Sequence, residues 1–288
     1  MFPRTSELIG EPLVEPEPLD GGITNRNFRV HTASGDYVVR MFGKDTSELG
    51  IDRRAEQAAA KAAAAAGVGA EVVGFLDDAA ITRFIEGRPI PPEELRRAPE
   101  GIAAALRAVH AGPPLPTEFN AFRVVETYRQ RAGGAPPAYD EAIARAREIE
   151  RALTGSEHEP VPCHNDLLNA NLIHDGSRVR IVDWEYAGMG DRYFDLGNLS
   201  INNDFEEPDD ERLLAAYFEE PCTPARFAAL RLMRIMSDFR EAMWGVVQQT
   251  LSDLDFDFEG YASEHFERLR RSVADPRYER WLEDAARG

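Results

Sequence analysis

His164-Asn165-Asp166-Leu167-Leu168-Asn169-Ala170-Asn171, followed by Leu172-Ile173, is the stretch that decides the fold. An Asp and an Asn stand five residues apart in a loop that runs into an apolar strand. Twelve residues past Asn171 comes Asp183, inside Ile181-Val182-Asp183-Trp184-Glu185, an acid at the end of the next strand. Phosphoryl transfer from ATP needs these parts: one carboxylate facing the attacking hydroxyl, and oxygen ligands holding Mg²⁺ on the phosphates. Mg²⁺ keeps several waters, so one Asp and one Asn suffice as protein ligands.

The segment resembles the catalytic loop and metal-binding acid of the protein-kinase-like fold. It is specifically similar to the aminoglycoside phosphotransferase and choline kinase superfamily. The resemblance implies Asp166 as catalytic base, Asn171 and Asp183 as Mg²⁺ ligands, and His164 as the residue that organises the loop. Together with its continuation, it covers the chain from about Leu19 to Arg271.

Working toward the N-terminus, the first 85 residues read as strands around one helix. Asn27 to Thr32 and Asp36 to Phe42 are β-rich runs around Ala33-Ser34-Gly35, a hairpin signal. Asp52 to Ala66 is alanine-rich and helical, with Asp52 as N-cap and Gly67 as stop. Glu71 to Leu76 and Ala80 to Ile85 flank an Asp77-Asp78 turn. Gly21-Gly22-Ile23-Thr24-Asn25-Arg26-Asn27 falls between the first two strands, where kinase-like folds cover the ATP phosphates with backbone N–H groups. Gly21, Gly22, Thr24, Asn25 and Asn27 are therefore expected at the nucleotide. Val38-Val39-Arg40 stands where protein kinases carry their strand lysine, and choline kinases share an arginine there. Only Lys44 and Lys61 are lysines in the whole chain, so arginine fills such roles generally. Glu56, 16 residues past Arg40, is its expected ion-pair partner; Arg53 or Arg54 on the same helix face is the competing partner. Ile81 to Gly87 resembles the hinge between lobes, which would bring backbone groups of Arg83 and Ile85 to adenine. Gly87-Arg88-Pro89-Ile90-Pro91-Pro92 breaks the pattern and reads as a linker.

Beyond it the signal is helical: 100–111, 139–153, 193–201, 211–219, 224–250, 259–271 and 276–286, with a β-rich island at 171–183. The expectation is an α+β chain with the two-lobed protein-kinase-like fold. Its small antiparallel N-lobe with one helix would span 1–86, with a hinge near 82–87. A larger helical lobe, 87–288, would carry the catalytic loop and the acceptor site.

Two features bear on the acceptor. Asp183 to Asp191 and Phe194-Asp195-Leu196-Gly197-Asn198 closely resemble the corresponding stretch of choline and ethanolamine kinases. Trp244 to Gln248 and Ser252 to Ala262 look like their C-terminal aromatic segment. A quaternary ammonium is held by aromatic faces with carboxylates nearby, and Tyr186, Trp244, Phe256 and Tyr261 could build such a cage, with Glu185 beside it. Animal choline kinases carry a second Trp where Glu241 stands here, and an acid where Asn202 stands. The resemblance implies a kinase using ATP and Mg²⁺ on the hydroxyl of an amino alcohol, choline or ethanolamine. The alternatives are the same chemistry on an aminoglycoside, thiamine or a sugar, or a catalytically inactive nucleotide-binding protein.

Composition agrees with a cationic substrate without requiring one. The chain has 33 Lys plus Arg against 51 Asp plus Glu, a net charge of −18. That excludes ordinary nucleic-acid binding and disfavours stable association with anionic membranes. No apolar run approaches the ~18 residues of a membrane span, and residues 1–10 do not read as a signal peptide. Cys163 and Cys222 are too few for a disulfide framework, which fits a reducing cytoplasm. Cys163 and His110 read as packed structural residues, no His/Cys cluster has zinc spacing, and the acidic run Asp204 to Glu211 reads as a solvated loop or a substrate funnel. Oligomeric state, monomer or homodimer, is left open by the sequence.

Overall fold

The computed structural model describes residues 3–19, 25–43, 49–252 and 254–288. Gly21, Gly22 and Thr24 of the expected phosphate loop, and Asp253, lie outside the described residues. Helix α1 (Pro3–Ile9) precedes strands β1 (Glu17–Leu19), β2 (Arg26–Thr32) and β3 (Gly35–Met41), helix α2 (Arg53–Ala65), and strands β4 (Val72–Phe75) and β5 (Ala79–Arg83). The five strands form one antiparallel sheet in the order β1-β2-β3-β5-β4.

Successive side chains of a strand point to opposite faces. In β3, Tyr37 and Val39 are buried with Val30, Ile81, Ala79 and Ile9 of α1 in a small core. Val38 and Arg40 take the other face, together with Ala80 and Thr82 of β5, and line the inter-lobe cleft. This alternation is what aims Arg40 into the cleft.

Asp52 caps α2 as expected, its side chain accepting from the Arg54 N–H at 2.8 Å. The buried alanines Ala59, Ala60 and Ala63 join the larger core with Ile102 and Leu106. Small side chains let α2 approach the second lobe closely, which fixes Glu56 relative to Arg40.

The segment read as a linker carries a short strand. β6 (Arg88–Pro89) pairs with β8 (Leu172–His174), which pairs with β9 (Val179–Ile181), making a three-stranded sheet under the cleft. β7 (Val161–Cys163) pairs with β10 (Gly188–Gly190). The helices are α3 (Pro92–Arg97), α4 (Glu100–His110), α5 (Ala121–Arg131), α6 (Ala138–Ala152), α7 (Arg192–Asn202), α8 (Glu207–Phe218), α9 (Pro224–Leu251), α10 (Phe258–Val273) and α11 (Tyr278–Ala285). Helix α9 is the axis of this lobe, packed against α5, α7, α10 and α11. From Leu232 to Val247 it is buried almost all round, as a helix inside a bundle must be. Gly197 of α7 lets the two helices touch: a Cβ there would sit 2.8 Å from the Arg234 nitrogen.

The acidic run is a solvated loop only in part: Asp204, Glu206 and Glu211 are exposed. Glu206 and Asp209 form a capping box that starts α8 at Glu207, four residues earlier than the sequence pattern suggests. Asp210 is buried, bonded to Arg231 and Arg234 at 3.1 and 3.0 Å. A helix rises about 1.5 Å per residue, so Arg234 lies roughly 15 Å along α9 from Trp244, too far for the Asp210 cluster to face the aromatic residues. Among the described residues no helix is long and apolar enough to cross a membrane.

Candidate active site

The catalytic loop hangs from one buried carboxylate. Asp195, in the first turn of α7, accepts from the His164 N–H at 2.8 Å and the Asn165 N–H at 2.7 Å. His110 Nε2 lies 3.0 Å from the same side chain, and its Nδ1 lies 2.7 Å from the Tyr217 hydroxyl. Asn198 accepts from the Leu167 N–H at 2.5 Å. Asn165 and Asp183 both adopt positive φ, 66° and 67°. Non-glycine residues in that region carry strain and persist only where surrounding bonds over-determine them.

His164 accepts from the Asp166 N–H at Nδ1, 3.2 Å, and donates from Nε2 to the Val182 carbonyl, 2.9 Å. That tautomer ties the loop to the strand leading to Asp183. Burial lowers the His164 pKa, so the ring stays neutral and acts as a strut. Asn171 Nδ2 donates to the Asp166 carbonyl at 2.9 Å, which leaves Asn171 Oδ1 as an acceptor toward the cleft.

Across the cleft, Arg40 donates to Glu56 and to Asp183. Glu56 is fully buried and also accepts from Arg53 at 2.6 Å. Both partners considered from sequence are therefore present. The cleft between lobes has a volume of about 360 Å³ and is lined by Asn27, Arg40, Ile85, Asn171 and Asp183 among others. Asn27 Oδ1 is buried there with no hydrogen-bond partner among the described residues. The hinge differs in detail from expectation. The Arg83 and Phe84 N–H groups are taken by the Glu71 and Asp36 carbonyls, at 2.8 and 2.9 Å. Of these three N–H groups that of Ile85 is left to meet a base, and these bonds do not engage the Arg83 carbonyl.

Two residues expected at ligands, Asn25 and Glu185, also link the lobes. Asn25 Nδ2 donates to Glu185 Oε2 at 2.8 Å, and Arg53 lies 3.6 Å from Glu185. Glu185 thus links to the first lobe, while its charge still acts on Tyr186 and Asp166. Burial, with Asp183 adding to it, raises its pKa.

The aromatic residues do assemble. Trp244 Nε1 donates to the Tyr186 hydroxyl at 3.0 Å, and the Trp244 and Tyr261 rings lie 5.6 Å apart. The Tyr261 hydroxyl donates to Glu241 at 2.7 Å. Phe256 stands at the rim, 43% exposed and 6.0 Å from Tyr261. Phe258, which the sequence reading passed over, packs on Trp244 at 5.8 Å.

Arg240 was also missed. It is buried in mid-α9, donates to Asp166 at 3.1 Å and to Glu241, and lies 4.3 Å over the Tyr186 ring. The signal was available: Arg240-Glu241 is a charged pair inside an apolar helical run, where charges are rarely buried unless paired. Two carboxylates compete for this one cation. Burial raises Asp166 to about 7; Arg240 opposes this, while Glu241 and Asp183 add to it. Burial also pushes Glu241 up, but Arg240, His265 and Tyr261 outweigh it and leave Glu241 below its ordinary value.

Asn171 Oδ1 and the Asp183 carboxylate line one cleft and are hard oxygen donors, a set that fits Mg²⁺. The grouping of His110, Cys163 and Asp195 has its ligand atoms within 4.8 Å of one another. Asp195 is already committed there to the loop amides and His110, and burial raises the Cys163 thiol well above its usual range. Those three residues are packed structure.

A five-stranded lobe over a helical lobe, a cleft crossed by an Arg–Glu–Asp chain, and an Asp-x4-Asn loop beneath it define a protein-kinase-like phosphotransferase. Residues 15–234 match the model of the phosphotransferase enzyme family. The structure of a choline/ethanolamine kinase family protein from Mesorhizobium loti is 31% identical, with TM-score 0.84, covering 96% of this chain and 94% of that one. Probable ethanolamine kinase A of Dictyostelium discoideum is 27% identical over 88% of this chain and 83% of its own length. Choline kinase LicA from Streptococcus pneumoniae shares the fold, with TM-score 0.80 at 24% identity over 93% and 95% of the two chains. A complex of LicA with AMP gives TM-score 0.75 at 25% identity over 90% and 93%. The chain belongs to the phosphotransferase enzyme family, within its choline/ethanolamine kinase group.

Proposed function

We propose that the protein transfers the γ-phosphoryl group of ATP, with Mg²⁺, to the hydroxyl of a small cationic amino alcohol, choline or ethanolamine, in the cytoplasm. The observation that carries this reading is the placement of Asp166, joined through Arg240 to an aromatic box on one side and beside Asn171 and the cleft on the other. The names of the relatives support the acceptor class, and the AMP complex of LicA supports an adenine nucleotide in the cleft. The nucleotide lobe is taken as 1–86 with its hinge near 82–87, and 87–288 as the acceptor lobe.

In this reading Asp166 accepts the hydrogen bond of the acceptor hydroxyl, orients it in line, and takes its proton late in transfer. Arg40, held by Glu56, would donate to phosphate oxygens. Asn27 and backbone groups of Arg83 and Ile85 meet the nucleotide. Tyr186, Trp244 and Tyr261, with Glu241, hold the ammonium through ring faces and charge. Asn171 and Asp183 would hold Mg²⁺, which supplies charge neutralisation on the phosphates when bound. The remainder of the rate comes from positioning in a site shielded from water.

An ADP-release screen over choline, ethanolamine, thiamine and aminoglycosides tests it. Turnover is expected with choline or ethanolamine; turnover confined to thiamine or an aminoglycoside overturns the acceptor reading. Binding of Mg·ATP with no ADP release from any alcohol points to the inactive alternative.

A further inference from the structure

The loop fixes the Asp166 backbone at both ends: its N–H donates to His164 and its carbonyl accepts from Asn171. The carboxylate is a different matter. Among the described residues its one hydrogen-bond donor is Arg240, at 3.1 Å from Oδ1. The same Nη1 also donates to Glu241, whose other oxygen accepts from Tyr261 at 2.7 Å. The guanidinium plane lies over Tyr186, whose hydroxyl accepts from Trp244. One buried cation therefore joins the carboxylate nearest the reaction to Tyr186, Trp244 and Tyr261 of the aromatic box.

Stability does not explain an arginine at this place. A buried ion pair seldom stabilises a fold more than apolar side chains of similar volume would. Here one cation faces two carboxylates, and its Nε and Nη2 are buried without hydrogen-bond partners among the described residues. A counterion placed for folding alone would not leave that imbalance.

We propose that Arg240 is a positioning residue. It sets the rotamer of the Asp166 carboxylate and couples it to the acceptor box through Glu241 and Tyr186. This rests on Asp166 being the group that receives the acceptor hydroxyl. A misplacement of about 1 Å at such a group costs on the order of 10²-fold in rate, so the effect belongs in kcat.

Five variants test it by ADP release, nucleotide binding by fluorescence, and thermal melting. Arg240→Met is expected to lower kcat about 10²-fold with nucleotide affinity unchanged, and Arg240→Lys to recover part of that loss. Glu241→Gln is expected to raise the acceptor KM more than it lowers kcat. The decisive protein is Arg240→Met/Glu241→Gln, which keeps the cluster's net charge and so folds even where the single Met variant does not. Its kcat is expected to stay as low as that of Arg240→Met. Recovery to within a few-fold of Glu241→Gln alone shows that Arg240 only neutralises Glu241, and overturns the proposal. Asp166→Asn separates the two readings. If it is inactive while the double variant is active, the Arg240 proposal alone fails; if it retains turnover, both fail.

Discussion

Asp195→Asn replaces one oxygen by a nitrogen at a fully buried side chain. The carboxylate now accepts from two loop amides, His164 at 2.8 Å and Asn165 at 2.7 Å. An amide has one oxygen, so one of these N–H groups must face an NH₂ donor instead. A hydrogen bond to a charged group contributes about 1.5–3 kcal/mol, and leaving a buried donor unsatisfied costs about 1–3 kcal/mol more. The sum is about 2.5–6 kcal/mol, and at roughly 2–4 °C per kcal/mol in a chain of this order the melting temperature should fall by about 5–24 °C. Because the two amides hold Asn165 at its positive φ, activity should fall further than stability, when both are measured well below the melting point. Thermal melts by circular dichroism, paired with ADP release at 20 °C, provide both readings. Asp77→Asn is the control: Asp77 pairs with Arg4 on the open surface and its loss should leave the melt unchanged. An Asp195→Asn protein that melts within about 2 °C of wild type and keeps its turnover refutes the account of how this loop is held.

Other expectations follow from single contacts. Gly197→Ala sets a methyl 2.8 Å from the α9 backbone, and such overpacking should cost about 1–3 kcal/mol in urea unfolding; a neutral result means α7 and α9 are not in contact there. Trp244→Phe removes the donor to the Tyr186 hydroxyl, worth about 0.5–1.5 kcal/mol, so kcat/KM for the acceptor should drop roughly 2- to 10-fold with the ATP KM unchanged; equal loss in both would remove Trp244 from the acceptor side. Asp183→Asn should raise the Mg²⁺ concentration for half-maximal activity and cut turnover at least about 10²-fold, while metal-free nucleotide binding persists because Arg40 is released from its carboxylate partner. Loss of that binding would place Asp183 in the nucleotide site itself.

How far the sequence reached depends on the range of the interaction read. Motifs whose chemistry is local were legible: the Asp166–Asn171 loop, Asp183 at a strand end, Arg40 on one face of β3, and Asp52 capping α2. The Arg40–Glu56 pair was legible as well, because strand alternation and helix spacing aim both side chains at one cleft. Arg240 was not, since nothing near it in sequence says that α9 runs beneath the catalytic loop 74 residues away. Glu185 was assigned to the acceptor by its place in the motif, and its contact to Asn25, 160 residues distant, was not legible there. The acidic run misled for a related reason. Six acids in eight residues look solvated until Arg231 and Arg234 arrive from α9 to bury Asp210. Charge composition predicted the sign of the surroundings, and tertiary contacts decided which acids belong to the site.

The most direct measurement is ³¹P NMR of the protein incubated with Mg·ATP and choline or ethanolamine, beside the Asp166→Asn variant under the same conditions. The account predicts a new phosphomonoester resonance and ADP from the wild-type chain, and neither from the variant, which still binds nucleotide. A phosphomonoester formed at a comparable rate by Asp166→Asn, or ATP left intact by the wild-type chain with both alcohols, would contradict it.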